Sequence, residues 1–143
     1  MSRVARSARV GSRQRPEAVA SSKTVAAAES GEVYIVSGSA AITITLPSPE
    51  EGSYYKFIYG SGMTQQLSVA AQDGDSIFGI ARQFIGDGSV TVTSDDGDGS
   101  NDVIRVAAGA QPGSIVECIS DGTVWYAEAY GSGSAITFRD AVS

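Results

Sequence analysis

The sequence predicts an all-β fold, a single antiparallel β-sandwich or barrel of jelly-roll type with an extended N-terminal arm. Three observations lead there. Short runs of Val, Ile, Thr and Tyr alternate apolar and polar residues with period two. Glycine, 17 of 143 residues, is scattered between those runs without a period, as turns between strands require. No segment past residue 30 carries a convincing amphipathic helical repeat.

Taken in order, Ala41 to Leu46 sets Ile42, Ile44 and Leu46 on one side and Thr43 and Thr45 on the other. Pro47 and Pro49 end that run, because proline cannot donate to a β-ladder. Tyr54 to Tyr59, Leu67 to Val69, Val90 to Thr93, Val103 to Val106, Ile115 to Ile119, Val124 to Tyr130 and Ala135 to Phe138 are further β-rich runs. Between them fall Ser37-Gly38, Gly60-Ser61-Gly62, Asp73-Gly74, Gly86-Asp87-Gly88, Asp121-Gly122 and Gly131-Ser132-Gly133. Asp121-Gly122 is a hairpin signal, since glycine accepts the positive φ of a tight turn. About eight to ten strands are expected from this punctuation.

Charge divides the chain. Residues 1–25 hold six basic side chains, Arg3, Arg6, Arg9, Arg13, Arg15 and Lys23, against Glu17 alone, a net of +5. The remainder holds four basic and fifteen acidic residues, a net of −11. The basic stretch has no aromatic residue and only four valines, too little apolar area to offset the entropy of ordering it alone. Residues 1–29 therefore read as an extended arm and 30–143 as the β-domain. Arg3, Arg6 and Arg9 would share one side of a short helix, interrupted by Gly11 and Pro16. Three roles are open to such an arm: folding onto an acidic protein surface, contacting nucleic-acid phosphates, or only aiding solubility.

The composition removes whole classes of chemistry. With no histidine there is no Ser-His-Asp triad, Cys-His dyad or histidine-bearing zinc site. Cys118 is the only cysteine, so no internal disulfide staples the fold. Its apolar neighbours predict a buried small side chain. No run approaches the ~18 apolar residues of a membrane span. No apolar stretch follows the basic start, so a secretory signal is not supported, while residues 1–15 loosely fit a transit-peptide composition.

The remaining candidates are weak. Asp95 to Asp102 is rich in oxygen ligands, with Asp96, Asp98 and Asp102 as a calcium candidate. The sixth position from Asp96 is Asn101 where an EF-hand needs glycine, and the twelfth is Ala107 where it needs glutamate. A solvated hairpin tip, with acids opposing edge-to-edge pairing, accounts for it better. Glu50-Glu51 between Pro49 and Gly52 reads as an exposed turn, and the Gly-Ser-Gly segments lack the lysine of a phosphate loop. Trp125, Tyr126 and Tyr130 could form a carbohydrate platform. An aromatic cluster borne on one strand, like Tyr55 and Phe57, is more often core or subunit interface. No cofactor and no enzymatic site is expected.

A family resemblance adds to this. The runs Ser30 to Val36, Ile42 to Pro47, Gly52 to Phe57, Gly74 to Gly79 and Ser120 to Tyr126 resemble the small β-domains of tailed-bacteriophage virion proteins. These are the capsid decoration (cement) proteins and head or tail fibres. The shared succession is Leu46-Pro47, then Gly52, then Tyr55-Lys56-Phe57, and later Ser120-Asp121-Gly122 with Trp125. The resemblance implies a structural virion role, commonly as a homotrimer. For a short chain with an arm and no shaft repeat it favours a decoration protein on the capsid outer surface, its partner the major capsid protein. A fibre component binding a host-surface glycan is the alternative. Membrane and nucleic acid are not expected partners.

Overall fold

The computed structural model describes residues 15–72, 74–86, 89–94, 101–132 and 135–140. Twelve strands lie within them, and one short 3-10 turn at Ala27–Glu29. The strands are β1 (Glu17–Val19), β2 (Lys23–Thr24), β3 (Val33–Val36), β4 (Ile42–Thr45), β5 (Tyr54–Tyr59) and β6 (Leu67–Ala70). They continue with β7 (Ile77–Phe84), β8 (Val90–Ser94), β9 (Asn101–Val106), β10 (Ile115–Ser120), β11 (Trp125–Ser132) and β12 (Ile136–Asp140). Two sheets form, one of seven strands ordered β1-β3-β5-β10-β11-β7-β8 and one of five ordered β12-β9-β6-β4-β2. Side chains from both inner faces make one core, so the fold is a β-sandwich.

The sheets are mixed, where the sequence suggested purely antiparallel ones. Up to β6 the chain crosses from one sheet to the other at every connection. A strand that returns after such a crossing runs parallel to the one before it. Hence β1, β3 and β5 are parallel, as are β2, β4 and β6. The β10–β11 hairpin then inserts between β5 and β7, antiparallel to β5, while β11 runs parallel to β7.

The N-terminal boundary also differs from expectation. Residues 17–29 belong to the sandwich: β1 and β2 are edge strands of the two sheets, and Val19 and Val25 are buried in the core. Two of the arm's four valines thus gain partners that the segment lacks alone. Of the expected arm, residues 1–14 lie outside the described residues.

The alternation in each strand sets the core. Ile42, Ile44 and Leu46 point inward as the pattern requires, and Tyr34, Tyr55, Phe57, Tyr59 and Trp125 meet them from the larger sheet. Tyr34 stacks on Phe57 with ring centroids 5.3 Å apart, and Tyr55 lies 5.8 Å from Trp125. Where β7 and β11 run together the inner surface needs small residues. A Cβ on Gly79 would come within 2.6 Å of the Ala127 carbonyl oxygen, so that position accepts only glycine without a backbone shift. The hairpin at Asp121-Gly122 forms as expected. Gly122 has φ 98°, and the Asp121 carboxylate accepts the N–H groups of Thr123 and Val124 at 2.8 and 3.0 Å.

Candidate interaction surface

The two outer faces of the sandwich have opposite character. On the five-stranded sheet the positions facing away from the core are mostly polar, Thr43, Thr45, Ser68, Arg105, Thr137 and Arg139, with buried Ala70 and Val103 in the row between Thr45 and Arg139. On the seven-stranded sheet the outward half carries many apolar residues as well, on either side of Lys56, Glu117, Glu128 and Arg82. Ile80, Phe84, Val90, Val92, Ile119 and Tyr126 all point outward there and are 43–61% exposed; Ile85 follows just beyond β7. Half-covered Val33, Ile35, Ile58 and Phe78 extend the same face. Each such side chain, if its exposed half were covered, would gain about 1 kcal/mol. Apolar ground of this extent on an outer face is a candidate contact surface.

The ladder fixes how the face is laid out. One row across the strands reads Val33, Lys56, Glu117, Glu128, Ile80. The next reads Ile35, Ile58, Ile115, Tyr130, Arg82, Val92. A polar band therefore runs down the centre, with apolar ground on either side. Tyr54 donates to Glu117 Oε2 at 2.8 Å; its burial, then this bond, push the phenol up to about 12. Arg82 Nη1 donates to Tyr130 Oη at 3.2 Å with the guanidinium 5.8 Å from the ring centroid, and Tyr130 Oη donates to Glu128 Oε2 at 3.4 Å. These links hold the charges within the face.

Shape differs across the band. Over β3 and β5, Val33, Ile35 and Ile58 line an open groove of about 500 Å³ with Pro16, Tyr54 and Lys56. Over β10 and β11, Tyr54, Ile119 and Tyr126 line a smaller hollow of about 280 Å³ with Glu117 and Glu128. Phe78 packs against Tyr126 beside it, ring centroids 6.3 Å apart.

The residues singled out in the sequence are not brought together. Arg3, Arg6, Arg9 and Arg13 lie outside the described residues, and Arg15 is exposed at the entry to β1. Lys23 is engaged within the chain: its Nζ pairs with Glu17 at 3.1 Å and Glu29 at 3.2 Å and sits 5.3 Å from the Tyr34 ring centroid. Glu29 in turn accepts the Ala26 N–H at 2.7 Å, and that bond, foremost, holds its carboxyl below the usual value. Lys23 is thus a latch between the two sheets' N-terminal edge strands. Tyr55, Phe57 and Trp125 are core, which removes Trp125 from any carbohydrate platform; Tyr126 is exposed on the outer face. Asp96 and Asp98 lie outside the described residues, and Asp102 is half-covered in β9 with Oδ1 unpaired among the described residues. No group of three or more metal-ligating side chains occurs among the described residues. Glu50 and Glu51 form the exposed turn expected of them.

The outer face itself was not foreseen. Its signal was present in β7, Ile77-Phe78-Gly79-Ile80, where apolar residues occupy inward and outward positions alike. No family model matches this chain, and no curated protein matches it. The likeness to virion β-domains accordingly rests on the quoted residues.

Proposed function

We propose that this chain is a non-enzymatic structural protein of a virion, a capsid decoration protein that binds the outer surface of a phage shell through its basic N-terminal segment. The observation that carries this reading is the apolar outer face of the seven-stranded sheet on an otherwise acidic body. Such a face suits contact with protein, and the surrounding negative charge disfavours nucleic acid. Residues 1–14 supply four arginines and no acid. A guanidinium takes a carboxylate bidentately, so these side chains fit acidic groups on the major capsid protein. Each exposed pair is worth only about 0.2–1 kcal/mol, yet several arms on one assembly bind with avidity because later arms engage at high local concentration.

The test is co-sedimentation with empty shells of the major capsid protein. Deleting residues 1–14 should abolish attachment while the body keeps its β circular-dichroism spectrum. Attachment that survives the deletion would remove the arm from the mechanism. One observation favours a second reading, a fibre component binding a host glycan: half-covered Phe78 and exposed Tyr126 form an aromatic pair on the outer face beside Glu117 and Glu128. Binding of the isolated body to a glycan array would select it.

A further inference from the structure

We propose that residues 1–14 fold back in cis over the outer face of the seven-stranded sheet and lay arginines against Glu117 and Glu128. This goes beyond the shell reading and does not depend on it. The two are compatible, since acidic groups on a partner can exchange with these glutamates. The apolar ground that would receive the segment is continuous. Tyr54 lines both the open groove over β3 and β5 and the hollow over β10 and β11, so the two adjoin. The groove begins at the chain itself, where exposed Pro16 lines it beside Val33.

The register shows where the segment enters. Glu17 stands opposite Tyr34, and Tyr34 opposite Phe57. The residues before these are Pro16, Val33 and Lys56, and that row continues through Glu117 and Glu128. The segment thus joins the body at the edge of the row that carries both carboxylates. Because β1 runs parallel to β3 and β5, the chain before Pro16 leaves toward the next outward row, Tyr54, Ile119 and Tyr126.

Length suits the span. From β1 to β10 is three strand spacings, about 14 Å, and to β11 four, about 19 Å. Extended chain covers about 3.3 Å per residue, so Arg13, three residues before Pro16, reaches about 10 Å and Arg9, seven before, about 23 Å. Arg13, with the length of its own side chain, meets Glu117, and Arg9 meets Glu128. Val10, beside Arg9, comes over Ile119 and Tyr126.

Charge matches along this path. Neither carboxylate has an ion-pair partner among the described residues; Glu117 accepts the Tyr54 phenol and Glu128 the Tyr130 phenol. Residues 1–14 bring four arginines and no acid. A guanidinium takes a carboxylate bidentately and stacks on an aromatic ring, and Tyr126 offers an exposed one. Lys56, half-covered in the groove, opposes a guanidinium there and moves the arginines on toward the two glutamates. A short tether holds the segment at an effective concentration on the order of millimolar, so contacts too weak for a free peptide suffice.

The test is paramagnetic broadening in amide NMR spectra of the full chain carrying a nitroxide at Ser7→Cys, without shells. Cys118 is buried, so the new thiol alone takes the label. Amides of Ile119, Tyr126 and Glu128 should broaden several-fold more than those of Thr43 and Thr137 on the other sheet. Glu117→Gln with Glu128→Gln should remove that difference while the other amides keep their positions, and high salt should remove it from the chain with both glutamates intact. Equal broadening on both sheets, or a difference that survives either treatment, would overturn the proposal. Broadening of an isotope-labelled chain by a separate nitroxide-bearing chain would assign the segment to a second copy and overturn folding in cis. If the double variant loses its dispersed spectrum, the salt series decides alone. Because no shell is present, the outcome is independent of whether the protein decorates one.

Discussion

Gln83 holds the backbone of Ile136 at both of its polar groups. Its Nε2 donates to the Ile136 carbonyl at 3.1 Å, and the Ile136 N–H donates to its Oε1 at 2.8 Å. Strand β12 is the edge of the smaller sheet, so these groups have no neighbouring strand to pair with. A side chain from the larger sheet does so instead. The amide closes that edge and ties the two sheets together at the end opposite Lys23.

Gln83→Leu should therefore leave a buried N–H and a buried C=O unpaired, at a cost of about 2–4 kcal/mol. Urea unfolding should show a lower midpoint with an unchanged slope. A midpoint within error of wild type would mean that water replaces the amide.

Tyr34→Phe should behave in the opposite way. Tyr34 Oη is buried with no hydrogen-bond partner among the described residues, while its ring stacks on Phe57. Removing the hydroxyl relieves a desolvated group and keeps the ring, so stability should be unchanged or rise by up to about 1 kcal/mol. A loss above that value would reveal a partner for the hydroxyl.

Stability should fall at alkaline pH. Burial pushes Tyr34 well up, aided by the charges of Glu29 and Glu17, and pushes Tyr55 up as well; Tyr54 is pushed up to about 12. For Lys23 burial acts downward, but its hydrogen bonds to Glu17 and Glu29 hold it above 10.5. All four groups have folded values above their unfolded ones. Their contribution is full below about pH 10 and is lost as pH rises through the folded values. Glu29 has the reverse sign: its contribution is present above 4.5 and is lost as pH falls through its lowered folded value. Thermal melts should accordingly give a plateau between these limits. An unfolding temperature that keeps rising above pH 10 would contradict the tyrosine environments.

Cys118 should be inert in the folded protein. It is fully buried, and that burial, with the nearby Glu117 charge, pushes the thiol up to about 12. A thiol-reactive disulfide reagent at pH 8 should label it only after urea is added. Rapid labelling of the native chain would show that β10 opens locally.

Much of the architecture was legible because strands with one buried face alternate. Ile42-Thr43-Ile44-Thr45 became β4 with the expected side inward, and Asp121-Gly122 became the β10–β11 turn. The misses share a cause, which is dependence on distant partners. Glu17–Val19 and Lys23–Thr24 are too short and too polar to announce themselves, and they are strands only because β3 and β4 lie alongside. Strand β7 lacks alternation because both its faces carry apolar residues, and a period-two reading passes over it. Parallel pairing was hidden for a topological reason: it follows from the chain crossing between sheets, which no local pattern records. The same limit applied to the outer face, whose members come from six strands and meet only in the folded sheet.

The position of β1 also governs how the protein would bear load. Residues 1–14 join the body through Pro16 at an edge strand of three residues, which pairs with β3 alone. Tension on that segment is delivered first to the β1–β3 ladder and to the ion pair between Glu17 and Lys23, ahead of the aromatic core. Under a steady pull the first event is peeling of β1, which lengthens the tether by a few residues while the remaining rungs stay stacked. A body held this way would yield at its leash before it yields in its fold, and could re-seat β1 once the force is gone.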